Sequence, residues 1–423
     1  MSPVAHRLAG FSTGPFESNM RKPFYSLGKF VGFAGALACL GFAARAAAQQ
    51  NHPPVPYASI GSTGVSYAGA GRASSYDLAG PTIHIGILAP LHGPQKADGE
   101  AIVQAAKMAL QDESSRPLPG GLHLELALGD ESGPAWGRVA DVMIHLVFDE
   151  HAVAIVTSAS GATAHLSEQV GNKIGVPILT LSTDATTTQI NLPWIFRLGP
   201  SDTQQARVIA RNIYQVRGFR HVLLVTERDH DGRVGGRELI EAAHQLGASL
   251  PDALLIDPLQ PDAGSLLEEI RSKSPQAMVF WTRPEIARTL LAALKANGVH
   301  TPIYLSQETA QEGSGLQMGR QDAAGEKDPS GAGVYTVASA QDARTESFVR
   351  RFQAATGTLP SPVVAEAYDA VRLAARAVRE AGPNRARVRD HISNAQKLAG
   401  VSGTISFDDQ GNNRTDVNLV RLQ

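Results

Sequence analysis

The sequence is nearly free of cysteine: Cys39 is the only one in 423 residues. It lies inside the apolar run Val31 to Ala44, so a chain cleaved just beyond that run carries no thiol. That excludes disulfides, thiolate catalysis and cysteine-ligated metals. Net charge is also low, formally −2. The first 48 residues hold five basic side chains (Arg7, Arg21, Lys22, Lys29, Arg45) and one acidic (Glu17), and their removal leaves about −6. A broad nucleic-acid surface requires the opposite sign, so no nucleic-acid partner is expected. The fourteen apolar residues from Val31 to Ala44 are too few to span a bilayer. With Arg21, Lys22 and Lys29 ahead of them and Arg45-Ala46-Ala47-Ala48 behind, they read as an export signal, with a membrane anchor or lipid attachment at Cys39 as the alternatives. Catalytic and metal motifs are missing as well. There is no H-E-x-x-H pattern and no EF-hand spacing, and the string Thr157-Ser158-Ala159-Ser160-Gly161 is not a G-x-S-x-G elbow. His92 and His230 are isolated in sequence, so neither a metal nor a cofactor is expected.

What is present is a regular alternation. Residues 1–48 are read as an N-terminal extension with signal peptide, and the Gly/Ser/Ala/Pro-rich stretch 49–81 as a flexible lead-in. From there short apolar runs alternate with helical patterns: Ile83 to Ala89, a helix to Asp112, Leu122 to Leu128 as a flanking strand, Val139 to Val147, Val153 to Thr157, and Val176 to Thr180. This is the pattern of βαβ units around a parallel sheet. A second series follows Pro200-Ser201-Asp202, with strands expected at His221 to Thr226, Ala253 to Ile256, Ala277 to Trp281 and Ile303 to Ser306. Residues 309–333 are aperiodic and read as an insertion. Helices over Glu346 to Ala355 and Ala365 to Ala381 come next. A closing strand pair, Val401 to Phe407 with Thr415 to Leu422, is expected around the turn Asp408 to Asn412.

Several strings in this series carry a resemblance. They are Ile85-Gly86-Ile87-Leu88-Ala89-Pro90-Leu91-His92-Gly93-Pro94, Gly129-Asp130-Glu131-Ser132, Gly175-Val176-Pro177-Ile178 and Phe196-Arg197-Leu198-Gly199-Pro200-Ser201-Asp202. Ala367-Tyr368-Asp369-Ala370-Val371 and Gly403-Thr404-Ile405-Ser406-Phe407-Asp408-Asp409-Gln410-Gly411 complete the set. In order and spacing they resemble the type I periplasmic solute-binding proteins of ABC transporters, the branched-chain amino acid and amide group. The resemblance implies an α/β fold of two Rossmann-like lobes with a three-crossing hinge. The N-terminal lobe would comprise 82–199 plus 340–398, and the C-terminal lobe 200–339 plus 399–423. It further implies a periplasmic receptor acting as a monomer, with a small polar solute and an inner-membrane ABC permease as partners.

In an open α/β sheet ligands meet the loops beyond the strand carboxyl ends. The segment Ser158 to Thr163 offers small residues, hydroxyls and helix-start N–H groups, so Ser158, Ser160 and Thr163 are candidate ligand contacts. Ser160 or Thr163 also suits a helix cap. The resemblance places Thr183 and Asp184 where amino-acid binders hold a carboxylate, Asp231 where they carry a covering Tyr, and Glu308 where an acid takes the ligand ammonium. Trp281 at a strand end could replace the missing aromatic wall. An ionised Asp184 would repel a carboxylate in a desolvated cleft. These departures point away from leucine, toward a solute with more donors or positive charge. A sensory binding protein for a signalling partner and a hydrolase using Ser160 are the competing readings.

Overall fold

The computed structural model describes residues 58–59, 65–66, 71–133, 135–190, 192–257, 263–311, 333–339 and 342–422. The export segment, part of the lead-in and residues 312–332 of the expected insertion lie outside them. A two-residue ribbon, Ala58–Ser59 with Val65–Ser66, precedes the sheets.

The first sheet contains β1 (Thr82–Ala89), β2 (His123–Asp130), β3 (Ala152–Thr157), β4 (Ile178–Thr180) and β5 (Ile195–Arg197). Its order is β2-β1-β3-β4-β5, with every pair parallel. A parallel sheet is covered on both faces, and β1 shows how the sequence achieves this. Ile83, Ile85 and Ile87 point to one core and Leu88 to the other. Gly86 shares the second face, where a Cβ would overlap Ile155. The missing side chain therefore lets β3 and its neighbours pack closely. Helices α1 (Lys96–Ser114), α2 (Ala135–Ile144) and α3 (Gly161–Ile174) link these strands.

The second sheet contains β6 (Val222–Glu227), β7 (Asp252–Ile256), β8 (Ala277–Trp281), β9 (Ile303–Leu305), β10 (Val334–Ser339) and, late in the chain, Val417–Leu422. The order runs from Val417–Leu422 through β10, β9, β8 and β6 to β7, with only the first pair antiparallel. Helices α4 (Asp202–Ala210), α5 (His230–Gln245), α6 (Ala263–Lys273) and α7 (Pro284–Ala296) cover it. Ser201 opens α4 with a capping box, accepting from Gln204 N–H while the Gln204 side chain accepts from Ser201 N–H.

Helices α8 (Ala343–Thr356), α9 (Pro362–Ala381) and α10 (Arg385–Ser393) return to the first sheet, where Phe348, Phe352, Val371 and Val388 join its core. The expected closing strand pair is not formed. Thr404–Ile405 pairs instead with Leu398–Ala399, and Val401, Ile405 and Phe407 belong to the first core. Only a single bridge, Phe407 to Asn413, remains of that pairing. The reason is Asp369 on α9. It accepts Val401 N–H (3.0 Å), Ser402 N–H (2.7 Å) and Ser402 Oγ–H (2.7 Å), tying this segment to the first sheet's helix layer. The chain therefore joins the second sheet only from Val417 onward.

Candidate functional site

In the first sheet the strand order reverses between β1 and β3, and in the second between β6 and β8. Loops diverge there and leave a crevice, so the segments after these four strands form the natural site. After β3, Ser160 caps α3, its Oγ accepting Thr163 N–H at 3.3 Å, and Ser158 Oγ accepts Ser160 N–H at 3.2 Å. Ser158 and Thr163 are buried. Gly161 N–H donates to Asp231 Oδ2 at 3.3 Å. That bond joins the first sheet's α3 to the second sheet's α5.

Residues 230–232 form the first turn of α5, because Asp229 caps the helix by accepting Gly232 N–H at 2.9 Å. His230 is thereby turned toward the first sheet. Its Nε2 lies 2.6 Å from Asp184 Oδ2, which His165 Nε2 also approaches at 3.0 Å. Asp184 Oδ1 accepts Thr186 N–H (2.8 Å) and Thr186 Oγ–H (2.7 Å). Burial works to raise the Asp184 pKa, but the bonds from His165, His230 and Thr186 outweigh it and hold the carboxyl well below the usual range. His165 is pushed up to about 10 by Asp184 and by Glu168, whose Oε1 lies 2.9 Å from Nδ1. Asp184 is thus occupied by protein groups. Beside it Thr183 is buried, its carbonyl accepting Asp202 N–H at 2.7 Å.

The second sheet contributes acids. Asp231 and Glu308 line one pocket together with Glu227, Asp229, Trp281, Thr282 and Arg283. Glu227 is neutralised by Arg283, accepting its N–H at 2.5 Å and its Nε–H at 3.0 Å. Asp231 Oδ1 is buried and has no hydrogen-bond partner. Burial, then the neighbouring Asp229, Asp184 and Asp202, push the Asp231 pKa well up; burial, then Asp231, Asp229 and Asp202, do the same for Glu308. Burial also raises Glu131, beside Ser158 and Thr163, to about 7, and Asp202 to about 7. Sequence reasoning missed His165, Glu131 and Asp202. The i, i+3 spacing of His165 and Glu168 on α3 was the one available signal.

Trp281 is 2% exposed and packs in the second core, with an edge on the acidic pocket. Its indole lies directly against Gly235 of α5, where a Cβ would overlap Nε1. A Gly235→Val substitution is therefore expected to destabilise the protein by about 1–3 kcal/mol through overpacking. Urea titration followed by circular dichroism checks this, and unchanged stability would show that the indole can move aside.

Two α/β sheets flanking a polar crevice are the arrangement of a solute-binding fold. Residues 82–423 match the family model described as periplasmic binding protein, and the chain belongs to that family. It is a periplasmic binding protein, a non-catalytic extracytoplasmic solute receptor. The fold resembles the branched-chain amino acid transporter substrate binding protein LivJ of Streptococcus pneumoniae, solved with isoleucine: 19% identity, TM-score 0.68, covering 80% of this chain and 99% of that one. A Rhodopseudomonas palustris solute binding protein in complex with benzoate gives 20%, 0.69, 81% and 93%. Another from the same species, in complex with 3,4-dihydroxybenzoic acid, gives 16%, 0.68, 81% and 96%. A search of curated proteins returns no match.

Proposed function

We propose that this receptor delivers a small amino-acid-like or amide-like solute bearing a cationic or donor-rich nitrogen to an inner-membrane ABC permease, as a monomer. The observation that carries this reading is the buried pair Asp231 and Glu308, with Asp231 Oδ1 unpartnered. Two carboxyls withdrawn from water repel one another when ionised, and each gains most from a cation placed between them. On the opposite wall Ser158, Ser160 and Thr163 offer hydroxyls and helix-start N–H groups to a carbonyl or carboxylate oxygen. Thr183 adds backbone support beside them, and Trp281 closes the acidic side. The reading divides the chain into lobes at 82–199 plus 340–398 and 200–339 plus 399–423, with Val401, Ile405 and Phe407 of the latter packing in the first sheet's core.

Calorimetric screening of the exported form against amino acids, amides, ureas and aromatic acids tests the reading. Amine- or guanidine-bearing compounds are expected as hits. Asp231→Asn should weaken the best hit by about 30-fold or more, the loss that follows when one partner of a buried charge pair is truncated. Selection of benzoate-like anions, undiminished in Asp231→Asn, would refute it.

A further inference from the structure

We propose that His165, Asp184 and His230 form a binding site for a borderline divalent transition ion, of which Zn²⁺ is the type, and that the ion bridges the two lobes. His165 Nε2, Asp184 Oδ2 and His230 Nε2 all lie within 4.8 Å of one another. Two imidazoles and a carboxylate are a donor set suited to zinc and its neighbours and poorly suited to calcium or magnesium. Metal–donor bonds of about 2.0–2.2 Å place tetrahedral donors roughly 3.3 Å apart. The observed separations of 3.0 and 2.6 Å from Asp184 Oδ2 need only a small outward side-chain movement.

Three further features point to a built site. Glu168 is buried and its Oε1 lies 2.9 Å from His165 Nδ1, the carboxylate–histidine arrangement that fixes the ring and directs Nε2 to a metal. Asp184 is oriented through its other oxygen by Thr186, leaving Oδ2 to the two imidazoles. Next to His230, Asp231 keeps Oδ1 buried and without a partner, and on the same side of Gly161 as Asp184, where a Cβ would meet both carboxylates. That carboxylate adds negative charge beside the ion, and water or a solute donor can complete the coordination.

The placement has a consequence for motion. His165 and Asp184 belong to the first lobe's α3 and the segment after β4, while His230 begins α5 of the second. An ion held by all three fastens the closed arrangement, whereas an open cleft offers only two protein donors. This inference is independent of the solute, and its test uses no solute.

The experiment takes the full exported chain without an affinity tag, stripped with a chelator, and titrates Zn²⁺ calorimetrically. One equivalent is expected to bind in the micromolar range or tighter, and Co²⁺ should give visible d–d bands of a four- or five-coordinate ion. His230→Gln, a partly exposed position, should fold normally by circular dichroism yet bind at least 10-fold more weakly, and His165→Gln likewise. Small-angle scattering should show compaction on adding Zn²⁺ to the parent but not to His230→Gln. Absence of stoichiometric binding in the parent, or binding by either variant as tight as the parent's, would overturn the proposal. Failure here leaves the amine screen untouched, and failure of that screen leaves this site standing.

Discussion

Replacing Arg197 by methionine is expected to cost about 3–5 kcal/mol of stability, the loss typical of breaking a buried charged network. The guanidinium is 1% exposed at the end of β5. Nε donates to the Ser182 carbonyl at 3.2 Å, and Nη2 to the Asp184 carbonyl at 2.5 Å and Thr187 Oγ1 at 2.7 Å. Nη1 donates to Asn412 Oδ1 at 2.8 Å, which also accepts Thr188 Oγ–H at 2.6 Å. One side chain thus holds the 182–188 segment, which carries Thr183 and Asp184, against the turn at 408–412. Methionine fills the volume but takes one donor from each of these buried oxygens, leaving Asn412 Oδ1 with Thr188 and the Asp184 carbonyl with Thr187, and lost donors to buried acceptors are costly. A fall in the melting temperature of roughly 5 °C follows for a chain of this size. Differential scanning calorimetry measures it. A drop of only a degree or two would mean that water replaces the guanidinium and that the segment holds its own shape.

Raising the pH from 5 to 8.5 should lower the melting temperature of the solute-free protein. Burial raises Glu131 to about 7, Asp202 to about 7 and Glu366 to about 8; Gln307 Nε2 donates to Glu366 Oε1 at 3.1 Å without offsetting that burial. Each group keeps its proton in the folded chain over a range where the unfolded chain has lost it. Between about pH 4 and 8 the folded state therefore binds more protons, and stability falls as pH rises. At about 1.4 kcal/mol per pH unit and group, the combined loss is on the order of several kcal/mol. Asp112 and Asp130, held below the usual range, lose their contribution only under about pH 4 and do not affect this window. A bound cationic solute should flatten the slope, because it favours the ionised carboxyls. Thermal melts at fixed ionic strength decide the matter, and a melting temperature that is level or climbs across the window contradicts the assignment.

Much of this protein was legible before any fold was known because its information is local. Alternating Ile83, Ile85 and Ile87 mark one apolar face of a strand, and the run Ala152 to Thr157 a strand buried on both. The recurring strings also have local physical reasons. Asp130 of Gly129-Asp130-Glu131-Ser132 accepts Leu91 N–H at 3.0 Å and so fixes the segment after β1. Asp369 of Ala367-Tyr368-Asp369 receives the backbone of residues 401 and 402. Gly411 has φ +81 and packs against the Ile195 carbonyl, where a Cβ would collide, so glycine is needed at that turn.

The site was less legible, and Asp184 shows why. Its type and position suggested a group facing the solute, yet its carboxylate is taken by His165, 19 residues before it, and by His230, 46 residues after it. His230 has no neighbour in sequence that marks it, and for His165 only Glu168, three residues on, gives a signal. By itself, then, the amino-acid order determined the strands, the helices, their alternation and the family, since hydrophobic periodicity and turn chemistry act over a few residues. Only the folded arrangement decided which charged groups meet across the crevice and how strongly they are desolvated, because Coulomb energy and burial depend on distances between segments that no local pattern encodes.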